Sequence, residues 1–169
     1  MKLVTFAVCL FTATCFAQVS PLILHSAHMR IVIPQRDEHG THDFRSECCR
    51  GGIDHAVLHA AVRRGDTLYV VFTCEGYSRG GAYGGPGGAG WEKQLNWMAI
   101  RGDTVLAHQC EDIESWWEHI YGGLGGWQHG VLVWSAEHGG SYDPTQITGY
   151  FDTTHPEKGL QKPADKSNQ

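Results

Sequence analysis

Two eight-residue stretches of this chain of 169 residues echo each other, and they restrict the fold more than any other feature. Ala61-Val62-Arg63-Arg64-Gly65-Asp66-Thr67-Leu68 runs into an apolar segment that ends Cys74-Glu75. Ala99-Ile100-Arg101-Gly102-Asp103-Thr104-Val105-Leu106 runs on to Cys110-Glu111. A tight reversal needs Gly-Asp: glycine takes positive φ freely, and aspartate bonds nearby amides. Each copy therefore reads as a β-hairpin that ends on a cysteine. Each then leads into a glycine-rich loop, Gly84-Gly85-Pro86-Gly87-Gly88 or Gly122-Gly123-Leu124-Gly125-Gly126. Arg64-Gly65-Asp66 and Arg101-Gly102-Asp103 are also adhesion-type tripeptides, but the turn requirement accounts for both.

The flanking segments extend the β pattern. Leu22 to Ile33 alternates as one long strand. Ile53 to Val62 fits either a strand or a helix with Gly65 as its stop. Thr67 to Thr73 is rich in β-branched and aromatic residues and reads as a buried strand. Gln94 to Ile100 and Val105 to Gln109 make the second hairpin. Asp112 to Tyr121 reads as a short helix ended by Gly122. Val131 to Ser135 and Gln146 to Phe151 are further strands. About seven strands result. The fold class expected is mostly β: an antiparallel sandwich, prism or barrel built on repeated hairpins, with one or two short helices. A small α/β fold is the alternative.

Met1 to Ala17 has the basic start, apolar stretch and small residues of a secretory leader. The organisation expected is a leader at 1–17, one β-rich domain at 18–152, and a disordered polar tail at 153–169. The localisation expected is extracellular. No segment is long and apolar enough for a spanning helix. A net charge of −5 without a basic stripe argues against a nucleic-acid partner.

Beyond the leader four cysteines remain, Cys48, Cys49, Cys74 and Cys110. An even count in an exported chain implies two disulfides. Adjacent cysteines bond each other poorly, so Cys48 and Cys49 are expected to reach separately to Cys74 and Cys110. No Cys-x-x-Cys or His-Glu-x-x-His spacing is present. His55 and His59 share a metal only if they lie on a helix. No metal and no cofactor are expected.

Two functional readings stand beside each other. Aromatic residues cluster with glycine: Tyr77, Tyr83 and Trp91 around the first loop, and Trp116, Trp117, Tyr121 and Trp127 around the second. Exposed rings stack on the apolar faces of sugars. Tyr77, Tyr83, Trp91 and Trp127 are the expected ligand-binding residues of a module for extracellular glycan or another surface ligand. The Gly-Gly-x-Gly-Gly elements and Gln146-Ile147-Thr148-Gly149-Tyr150-Phe151 are similar to jacalin-type β-prism lectins. The resemblance implies sugar binding, although the aspartate loop of that family is matched only approximately by Gly140-Ser141-Tyr142-Asp143. The other reading starts from Gly76-Tyr77-Ser78-Arg79-Gly80, the Gly-x-Ser-x-Gly pattern of a nucleophile elbow. This portion resembles a secreted esterase or cutinase. The resemblance implies Ser78 as nucleophile, His138 as base and Asp103 as orienting acid. A glycine-rich stretch where the elbow helix should start makes binding, rather than enzyme activity, the first expectation.

Overall fold

The computed structural model describes residues 22–25, 30–33, 54–77, 90–116, 118–139 and 147–163. Nine antiparallel strands form two sheets. Strands β1 (Leu22–His25) and β2 (Arg30–Ile33) pair as a small hairpin. The seven-stranded sheet contains β3 (His55–Arg64), β4 (Thr67–Tyr77), β5 (Trp91–Arg101) and β6 (Thr104–Ser115). It continues with β7 (Ile120–Gln128), β8 (Val131–His138) and β9 (Gly149–Asp152). Spatial order follows chain order throughout, so this sheet is a simple meander. The only helical element among the described residues is a 3₁₀ turn at Pro156–Lys158.

The repeated Gly-Asp pairs are the hairpin tips. Gly65 has φ +58° between the paired Arg64 and Thr67. Gly102 has φ +60° between Arg101 and Thr104. Glycine at the first central position of a two-residue loop matches the twist of the flanking strands. Asp66 accepts a hydrogen bond from the Thr67 hydroxyl (3.2 Å) and pairs with Arg101 of the neighbouring hairpin (3.0 Å).

Strand alternation sends successive side chains to opposite faces, and the central strands β4 and β5 are buried on both. On the front face, Val70, Phe72, Cys74, Met98, Ile100 and Val105 pack against Leu24, Ile31 and Ile33 of the β1–β2 hairpin. On the back face, Ala60, Val71, Leu95, Trp97, Ala99 and Ile113 meet Leu132 and Trp134 of β8, Phe151 of β9, and Leu160. The sheet therefore folds back over itself as a sandwich. The fold point is β6–β7, joined by the single pair Ser115↔Ile120. Glycine makes the crossing close: a β-carbon on Gly122 would overlap the carbonyl oxygens of Ile113 and Ser135.

Four local expectations are corrected. Leu22 to Ile33 is a hairpin of two strands, not one long strand. Residues 112–121 form no helix. Asp112 to Ser115 continue β6, paired with Gln94, Lys93 and Glu92, and a turn leads into β7. Gly122 to Gly126 is not a loop but lies inside β7. The tail is folded from Thr153 to Pro163 rather than disordered. Trp97 Nε1 donates to Pro156 O (3.0 Å), Leu160 N donates to Gln109 Oε1 (2.6 Å), and Lys162 pairs with Glu111 (3.3 Å). Of the ambiguous segment at 53–62, His55 to Val62 lie in strand β3.

Candidate functional site

Register places one row of residues across the sheet at one end: Gly76, Glu92, Ser115, Ile120 and His138. The aromatic residues lie just beyond it. Tyr77 and Trp91 are direct cross-strand partners at the last pair of β4 and β5. Their rings meet edge to face, with centroids 4.8 Å apart at 84°. That geometry sets the positive ring edge of one against the negative face of the other. Trp116 follows the end of β6, and its backbone N–H donates to Trp91 O (3.3 Å). Its side chain crosses Gly90, where a β-carbon would overlap it. Tyr77 is 62% exposed and Trp116 56%, while Trp91 is half-buried. Three strand ends thus bring three aromatic residues to one end of the sheet, two of them open to solvent.

Polar groups stand behind the rings on the back face. Alternation from Val71 puts Thr73, Glu75 and Tyr77 on that face, and alternation from Leu95 puts Lys93 and Trp91 there. Glu75 and Lys93 form an ion pair at 2.6 Å. Glu114 faces Lys93 from β6. His59 is the extra residue of a β-bulge, because Leu58 pairs with Phe72 and Ala60 with Val71. Its Nε2 lies 3.0 Å from Thr73 Oγ1. Burial holds the His59 pKa below its usual value; the Lys93 charge adds to this and Glu75 opposes it. Asp54 fastens the β3 end, donating its N–H to Glu75 O (2.9 Å) and accepting from Tyr77 N (3.2 Å).

The expected site residues separate into groups. Tyr77 and Trp91 come together. Trp127 is exposed but lies seven residues along β7 from Ile120, about 23 Å from this row at strand rise. It belongs to no common platform with them. Tyr83 and Ser78 lie outside the described residues, as do Cys48, Cys49 and the leader. Trp116 was readable only as one of several loop-flanking aromatics, because its segment has the spacing of a helix.

Of the catalytic candidates the described residues include Asp103 and His138, and these lie apart. Asp103 sits in the β5–β6 turn, beside the Thr67↔Arg101 pair. Tyr77 is ten residues away along β4, about 33 Å at strand rise. An orienting carboxylate must touch its histidine. His138 is at the Tyr77 end, so Asp103 is also remote from it.

Cys74 is buried on the front face. Cys110 is half-buried on that face, packed against the same core. With β5 between them, the two are about 10 Å apart or more, beyond disulfide reach of each other. Among the described residues no group of three or more His, Cys, Asp or Glu is placed to hold a metal ion. No helix among them is long and apolar enough to cross a membrane. Compared with known proteins, the chain matches no protein family, no curated protein and no solved structure.

Proposed function

We propose that this protein is an extracellular, disulfide-stabilised binding module that holds carbohydrate on the Tyr77–Trp91–Trp116 platform. The observation that carries this reading is the exposure of Tyr77 and Trp116 around a fixed Tyr77–Trp91 edge contact. A large aromatic residue that serves only the core is buried. Rings held by backbone pairing and left open suit a ligand with an apolar face and a polar rim. A pyranose is such a ligand: its axial C–H groups stack on the ring, and its hydroxyls reach the carboxylates and ammonium behind it. Export and two disulfides, Cys48 and Cys49 to Cys74 and Cys110, are part of the proposal; the leader-like N-terminus and the even cysteine count support them.

The test is a glycan array followed by titration of tryptophan fluorescence with the best ligand. Trp116→Ala and Tyr77→Ala are expected to weaken binding by about tenfold or more each, as stacking contacts do. Far-UV circular dichroism checks that both variants remain folded. The absence of any glycan ligand for the folded wild type refutes the reading.

A further inference from the structure

The aromatic platform has a charged setting that selects among sugars. Described carboxylates at this end include Asp54, Glu75, Glu114, Glu118 and Glu137. The described lysine and arginine side chains there amount to Lys93, which Glu75 already pairs. Glu75 and Glu114 flank Lys93 on the same face as Trp91 and Tyr77. Glu75 and Lys93 are held partly out of water, their side chains 19% and 25% exposed, so screening by salt is incomplete.

We infer that the platform takes glycans whose rings carry protonated amino groups, and that it discriminates against uronic or sulfated chains. This rests on the carbohydrate reading above. An ammonium beside a stacked ring finds Glu114 across from the neutralised Glu75–Lys93 pair. A carboxylate in the same position meets a surplus of like charge, and such juxtaposition is what enforces specificity. Neutral rings keep the stacking and lose only the ionic contact.

Three β-1,4-linked hexamers of gluco stereochemistry test this, because they share ring shape and differ in charge: glucosamine, glucose and glucuronate. Titration by calorimetry at about pH 6 and low salt keeps the amine largely protonated. The expected affinity order is glucosamine, then glucose, then glucuronate. Each step is expected to be on the order of tenfold. The spread narrows in about 1 M salt, where the Debye length falls to about 3 Å. Glu114→Gln is expected to shrink the glucosamine-to-glucose ratio, and rescue by Glu114→Asp restores part of it. Equal binding of all three hexamers, tighter binding of glucuronate, or a ratio unmoved by Glu114→Gln overturns this inference alone. Binding of none of the three, with no other glycan bound on the array, overturns the carbohydrate reading itself.

Discussion

Replacing Gly122 with alanine tests whether β7 must approach both neighbours without a side chain between them. An alanine β-carbon would overlap the carbonyl oxygens of Ser135 and Ile113 and crowd Ala136 Cα. All three obstacles are backbone, so no rotamer change relieves them. Overpacking costs about 1–3 kcal/mol, and this position belongs near the top because β7 must leave β8 and β6 together. Alanine also restricts the unfolded chain, which offsets about 0.4–1 kcal/mol. The net loss is about 2 kcal/mol. At about 2–4 °C per kcal/mol for a domain of this size, Tm falls by about 4–8 °C. Urea unfolding followed by tryptophan fluorescence measures it, and the midpoint should move without a change in slope. Gly125→Ala is the control. Its β-carbon would press a methyl of Val133 at 2.9 Å, a side chain that can turn. Gly122→Ala within about 0.5 kcal/mol of wild type would refute the close crossing.

Acid should reveal His59. Its folded pKa lies below the usual 6.5, so its neutral form belongs to the native state. The associated stability is complete above 6.5 and is lost as pH falls through the lowered folded value, a slope that His59→Gln should flatten in Tm-versus-pH scans. Asp152 acts further down: hydrogen bonds from Thr154, then His155, hold it at about 2 against 3.8, and Asp152→Asn should remove the loss between those values. Leu160→Ala should destabilise the domain by about 2 kcal/mol or more, measured by urea unfolding, because it opens the back-face core. Non-reducing mass spectrometry of the exported chain should find it lighter than its fully reduced form by four hydrogens, and peptide mapping should find no Cys74–Cys110 link.

Much of the sheet was legible because its signals are local. Gly65 and Gly102 announce hairpin tips through backbone conformation, and the β-branched run in β4 announces a buried strand. The errors come from residues with two meanings. Glu114 and Glu118 stand at helical spacing ahead of Gly122, yet pairing with β5 holds Glu114 in β6. The glycines among residues 122–126 resemble loop punctuation, but they lie in β7, where the small size of Gly122 and Gly125 serves close contact. The alternation across Leu22 to Ile33 is continuous, so it does not show where the chain reverses. The tail after Thr153 looks solvated because its anchors are distant: Trp97 for Pro156, and Gln109 for Leu160. At the candidate site, Tyr77 and Trp91 were identifiable as aromatics beside a glycine loop. Their partnership with Trp116 depends on sheet order, which periodicity does not encode.

The strap from Pro156 to Leu160 fixes the order in which the molecule can be completed during synthesis. Neighbouring hairpins β3–β4 and β5–β6 zip locally, and such contacts form early. The indole of Trp97 must wait for a carbonyl made 59 residues later. Until the ribosome has released that stretch, the part of the back-face core that Leu160 covers stands open to solvent. A nascent chain is therefore a sheet with one wet side, and its final closure is a late event on the translation clock.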